Sequence, residues 1–178
     1  PAENGNAAQI KSWCEGITGV GRARILKLWD GPGTVKAVIT ADDGTAPSEG
    51  IVNQVQQTID PGASGLGEGL VTIGCFFTAV ASVEVPIDIS VEVTKTANGS
   101  FAAIKDDIEA ALKAYLKGLA LAAADETTVR VNSIGSLIAN VSGVVDYENL
   151  LVNGGTDNVP ISVYQVPVAG EVIVDGRI

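Results

Sequence analysis

The spacing of apolar residues divides the chain into short elements of two kinds. Over residues 7–16, Ile10, Trp13 and Cys14 recur with helical spacing on one face, and Gly16 and Gly19 can end the helix. Residues 20–29 and 34–41 read as strands, because Val35, Ala37 and Ile39 alternate with Lys36, Val38 and Thr40. Asp30-Gly31-Pro32-Gly33 between them is turn chemistry and predicts an antiparallel hairpin. A second helix opens near Pro47-Ser48-Glu49, with Ser48 as N-cap and Ile51, Val52, Val55 and Ile59 as its apolar stripe. Asp60-Pro61-Gly62 stops it. Residues 61–69, five of nine being Gly or Pro, form the clearest loop, and the apolar run 71–83 is expected to close a first sheet.

A second unit follows from residue 84. Val85, Ile87, Ile89, Val91 and Val93 alternate with Pro86, Asp88, Ser90, Glu92 and Thr94, which predicts a strand with one buried and one wet face. A long helix over 101–122 carries the stripe Phe101, Ile104, Ile108, Leu112, Tyr115 and Leu119. A strand at 127–131, a helix at 133–141, a strand at 144–153, a turn at Asn153-Gly154-Gly155 and a last strand at 170–175 complete the pattern. Two helix exits resemble each other, Ile17-Thr18-Gly19-Val20 and Val141-Ser142-Gly143-Val144, where Gly relieves the exit and Val begins a strand. The expected class is α+β, with subdomains 1–83 and 84–178, each a mostly antiparallel sheet with helices on one face.

Composition narrows the function. Aromatic residues are 4% of the 178, so Val, Ile, Leu and Ala must build the cores. A formal charge of −10 disfavours a phosphate backbone or an anionic membrane surface as partner. No apolar stretch approaches the roughly 20 residues of a membrane span. The chain contains no Met and begins Pro1-Ala2-Glu3, so it is expected to be a processed product or a segment of a longer polypeptide.

Candidate chemistry is sparse. Histidine is absent, which removes the commonest general base and every Ser–His or Cys–His pair. Cys14 and Cys75 are too far apart in sequence, and too few, for a zinc site or a disulfide framework, and are expected as buried thiols. The carboxylate groups Asp42-Asp43, Asp106-Asp107-Glu109 and Asp125-Glu126 have ordinary turn and helix-end explanations. Gly65-Leu66-Gly67-Glu68-Gly69 lacks the Lys and Ser or Thr of a phosphate loop and carries an acid where phosphate would sit. Neither catalytic residue, metal, cofactor nor small-molecule substrate is expected. Trp13 and Trp29 read first as core packing, although Trp29, at a strand tip before a turn, is also the aromatic best placed to seat against a partner.

Several segments together resemble the baseplate J-like family, above all members from defective prophages and phage-tail-like bacteriocins. They are Asn4-Gly5-Asn6-Ala7-Ala8-Gln9, the helix with Trp13, Gly19-Val20-Gly21 and Leu28-Trp29-Asp30-Gly31-Pro32-Gly33-Thr34-Val35. Ile51 to Gln56, Ile59-Asp60-Pro61, Gly65–Gly69, Val129-Arg130-Val131, Gly143 to Tyr147 and Leu151 to Gly154 extend the likeness into both halves. The resemblance implies a non-enzymatic wedge component of a contractile-tail baseplate. Its partners would be other baseplate and tail proteins, in a virion or tail-like particle assembled in the bacterial cytoplasm. Loop exposure suggests the contact residues Trp29, Asp30, Gly31, Pro32, Gly33, Leu66, Glu68, Asn153 and Asp157. An extracellular carbohydrate-binding or adhesin module is the competing reading, and a carboxylate- or metal-dependent enzyme comes after it.

Overall fold

The structure, a computed structural model, describes residues 6–177. The chain divides into two compact units, Pro1–Val83 with Val163–Val166, and Glu84–Ser162 with Pro167–Ile178. Among the described residues lie four α-helices and eight strands, an α+β architecture.

In the first unit, Asn6 caps α1 (Ala7–Glu15) by accepting from Gln9 N–H at 3.0 Å, and the chain turns into β1 (Val20–Lys27) and β2 (Thr34–Ala41). These two strands form the expected antiparallel hairpin. Ser48 caps α2 (Glu49–Ile59), accepting from Ile51 N–H at 3.4 Å. The apolar run 71–83 closes the sheet only through β3 (Phe76–Ala81), and β3 lies parallel to β2, giving the order β1-β2-β3. A parallel neighbour requires a crossover, and α2 supplies it. Ile10, Cys14, Ala23, Ile39, Val55, Ile59 and Phe77 form the core between helices and sheet.

β3 is the sheet's edge, and its outward backbone is met by side chains rather than by another strand. The Gln56 amide nitrogen donates to the Phe77 carbonyl at 2.9 Å, and its oxygen accepts from Ala79 N–H at 2.8 Å. Fully buried Asp60 accepts from Phe77 N–H at 3.0 Å and from Gly65 N–H at 3.2 Å. The end of α2 thus stands in for a fourth strand. At the opposite edge, Glu15 accepts from Ala23 N–H at 3.1 Å.

In the second unit, β4 (Val83–Lys95) is the centre of a three-stranded sheet, between β6 (Val144–Val152) and β8 (Gln165–Arg177). The order is β6-β4-β8. α3 (Phe101–Ala120) packs Ile104, Ile108, Leu112 and Leu116 against Ile87, Ile89, Val91 and Val93. Burying each such side chain contributes about 1.5–3 kcal/mol. α4 (Val131–Ala139) adds Ile134 and Ile138, and β5 (Thr127–Val129) pairs with β7 (Val159–Ile161) in a separate two-stranded ribbon. The expected final strand at 170–175 runs instead from Gln165, since an edge strand tolerates Pro167. Pro86 sits in the central strand but ahead of Ile89, where the pairing with β6 begins.

The two similar helix exits share their geometry. Gly19 and Gly143 both adopt φ of 88°, and their carbonyls accept from Asp42 N–H at 3.1 Å and Thr96 N–H at 2.9 Å. An isoleucine of the following or preceding long helix, Ile51 or Ile104, lies over each glycine.

Replacing Gln56 by Ala should lower the unfolding free energy by about 1–3 kcal/mol, because Ala79 N–H and the Phe77 carbonyl lose their partner. Chemical denaturation followed by circular dichroism measures it, and Gln57→Ala on the exposed face of α2 should stay within about 0.5 kcal/mol of the parent.

Candidate contact surfaces

The hairpin turn is held by Thr34, whose hydroxyl donates to the Gly31 carbonyl at 2.7 Å and accepts from Asp30 N–H at 3.1 Å. Leu28 enters the turn in the left-handed region, at φ 54°. That rotation takes Trp29 out of the strand's alternation. Trp29 is 40% exposed and lies outside both core clusters, which corrects the core reading of this residue. Its ring is stacked beneath Lys36, whose ammonium nitrogen is 3.4 Å from the ring centre, while Tyr164 lies 5.7 Å from the same nitrogen. Trp13, in contrast, packs against the first core, as expected.

The fold brings the turn and the Gly-rich loop to the same end of the first sheet. Phe76 N–H donates to the Gly33 carbonyl at 2.9 Å, and Gly74 N–H donates to the Gly65 carbonyl at 2.8 Å. Gly65 has φ of 64°, and a Cβ there would stand 2.7 Å from the Phe76 ring, so only glycine allows the loop to close over it. Asp60 anchors the loop's root through Gly65 N–H and the Ser64 hydroxyl. With its root fixed, the loop presents its apolar side chains outward. Leu66 is 63% exposed, Ile73 83% and Phe76 46%. Asp30, Pro32, Gly33 and Glu68 are exposed around them, and Gly31 is half-buried. Ile73 and Phe76 carry as much of this surface as Leu66 does; the sequence reading took the run 71–83 wholly as sheet and passed over them.

The third candidate surface is in the second unit. Asn153 is exposed but tied down: its oxygen accepts from Asp88 N–H at 2.8 Å, its amide donates to the Pro86 carbonyl at 3.3 Å, and its own N–H donates to the Asp88 carbonyl at 2.9 Å. Its side chain therefore stitches a turn onto β4. Asp157 is exposed, and neighbouring Asn158 accepts from Val131 N–H at 3.0 Å at the start of α4.

The acidic groups do not converge. Asp43 accepts from the backbone and hydroxyl of Thr45 within its turn, and Glu109 pairs with Lys105 at 3.7 Å one helical turn away. Among the described residues, no three of His, Cys, Asp and Glu form a group that could hold a metal ion, and no helix is long and apolar enough to cross a membrane.

Two regions of the sequence match family models. Residues 2–94 match the Baseplate J-like central domain, and residues 87–175 match the Baseplate J-like protein C-terminal domain. The chain belongs to the baseplate J-like family. Two relatives from Bacillus subtilis (strain 168), an uncharacterized protein YqbT and the phage-like element PBSX protein XkdT, are each 33% identical over 171 residues. Each alignment covers 96% of this chain and 48% of the relative, so this family member spans about half the length of the curated relatives it matches. A chain in the cryo-EM structure of the anti-feeding prophage baseplate, 6-fold symmetrised, has the same fold. It superposes with a TM-score of 0.68 at 11% identity, over 95% of this chain and 38% of that one.

Both cysteines are free thiols, and both are less acidic than usual. Burial, and then the neighbouring Glu15, push Cys14 up to about 12, and burial followed by Asp60 raises half-buried Cys75. An acid whose folded value lies above its unfolded one stabilises the fold below the unfolded value. That contribution fades as pH rises through the folded one. Stability should therefore decline between pH 9 and about 12, and Cys14→Ala should flatten that limb in unfolding titrations at stepped pH. At pH 8, a maleimide should label Cys75 well before Cys14.

Proposed function

We propose that the chain is a non-catalytic structural part of the baseplate of a contractile phage-tail-like particle, where it contacts neighbouring tail proteins. The observation that carries this reading is that central and C-terminal baseplate J-like domains together account for residues 2–175. The loop end of the first unit supplies the physical means. Leu66 and Ile73, beyond a loop root held by a buried carboxylate, and Phe76 at the start of β3 hold apolar surface in water. Such a display costs solvation in the free chain and is recovered when a partner covers it. The aromatic Trp29, stiffened by Lys36, is a preorganised anchor beside it. The contacts proposed are thus Trp29 to Gly33 with Leu66 and Glu68, and the turn with Asn153 and Asp157 as a further one. Particle formation from subunits made in the cytoplasm, with the chain among the wedge proteins around the tail tube, follows from the same reading.

The test places Leu66→Asp with Ile73→Asp in the gene that encodes the chain. Both positions are exposed, so the purified variant should unfold within about 1 kcal/mol of the parent, while electron microscopy finds assembled tail particles lost. Normal particles from a chain carrying both substitutions would sink the loop end as a contact. Normal particles from a strain lacking the chain altogether would sink the structural role.

A further inference from the structure

The outer face of the first sheet, opposite its helices, carries cations and no carboxylate of its own. Ala23, Ala37, Ile39 and Phe77 point into the core, so Arg22 and Arg24 on β1, Lys36 on β2, and Phe76 and Thr78 on β3 take the other side. None of the three strands contains an Asp or Glu. Arg22 and Arg24 are buried, and Arg24 donates to the Thr40 hydroxyl at 3.1 Å. Lys36 is only half-buried, and it lies near the end of the sheet where the hairpin turn and the Gly-rich loop meet.

Two aromatic rings hold the Lys36 ammonium in place. It lies 3.4 Å from the Trp29 ring centre and 5.7 Å from that of Tyr164, whose carbonyl accepts from Val83 N–H at 2.8 Å. The cation therefore has two π faces, but among the described residues its three N–H groups have neither a hydrogen bond nor an ion pair. Its cross-strand neighbours, Leu26 and Thr78, bring no charge. Asp30 and Glu68, exposed on the turn and the loop, form no ion pair with it. Lys11, by comparison, pairs with Glu15 at 3.6 Å. An ammonium that is partly desolvated and fixed in position, yet unpaired, is suited to a carboxylate arriving from outside. The formal charge of −10 does not oppose this locally, because the strands put no acid on that face.

We propose that Lys36, held between Trp29 and Tyr164, receives an Asp or Glu side chain of a neighbouring subunit of a different protein, beside an apolar residue of that subunit seated on the exposed Phe76 ring. The apolar contact supplies area, and the ion pair, desolvated as the contact closes, fixes its register. A nucleic acid is a poorer occupant, since a polyanion needs several phosphate-neutralising cations and this face offers one that reaches solvent. The inference rests on the baseplate reading for the neighbour and adds the chemistry of the residue that neighbour presents.

Zero-length cross-linking of purified particles with a water-soluble carbodiimide tests this, because it joins an amine to a carboxylate only where the two touch. Mass spectrometry should find Lys36 linked to an Asp or Glu of another protein. Lys36→Arg keeps the charge but offers no amine, so the link should vanish. Lys36→Glu, in a chain whose folding is checked by circular dichroism, should cut particle numbers at least about tenfold. Changing the linked partner carboxylate to Lys should then restore them. A Lys36 left unlinked, or linked only within its own sequence, would overturn the proposal, as would normal particle numbers from Lys36→Glu. Particles that lack the chain altogether would count against the baseplate reading itself, so the two can fail separately.

Discussion

The edge of a three-stranded sheet presents backbone groups that must find partners, and the first unit is organised around meeting that demand at β3. Because β3 joins parallel to β2, its outer edge faces the crossover helix instead of another strand. A glutamine two-thirds of the way along α2 and an aspartate just past its end supply donor and acceptors in strand-like register. Asp60 does more than close an edge. The same carboxylate takes Gly65 N–H, so the strand's start and the loop's root are fixed by one buried group. A buried carboxylate is tolerable only when its oxygens are satisfied this fully. The loop end therefore derives its shape from the sheet's edge.

What could be read from the chain depended on how local each cause is. The hairpin, the caps Ser48 and the stops at Asp60-Pro61 are determined by neighbours in sequence, and they appear where the pattern puts them. The pairing of β3 is not local. Nothing in Phe76–Ala81 distinguishes a parallel from an antiparallel neighbour; the decision lies in the crossover and in Gln56, whose side chain looks like any exposed helix residue in one dimension. β7, three residues around Pro160, carries too little alternation to register as a strand. In α3 the stripe extends through Leu116 and Ala120, since a helix packed on a sheet buries a broader face than a single row.

The candidate contact residues were legible as turns and loops but not as a surface. Trp29 and Leu66 are far apart in the chain, and the hydrogen bond from Phe76 to Gly33 is what places their segments together. Asn153 shows the opposite case. A turn asparagine reads as available, yet three hydrogen bonds commit it to β4, so its place in any interface would be to hold the turn still for Asp157. The paired helix exits were visible in outline, and the shared φ of Gly19 and Gly143 gives the likeness a backbone cause. The different order of elements in the two units keeps it at the level of a common exit.

The two units manage exposure by different physics. In the first, both edges of the sheet are closed and the unsatisfied surface is apolar, carried on a loop whose root cannot shift without disturbing Asp60. Apolar contact is short-ranged and insensitive to salt, so such a surface seats a partner without steering it. In the second, charge dominates, with thirteen of the 21 acidic residues against six of the eleven Lys and Arg. Carboxylates act over a Debye length of about 8–10 Å, so their influence reaches beyond contact distance and weakens with added salt.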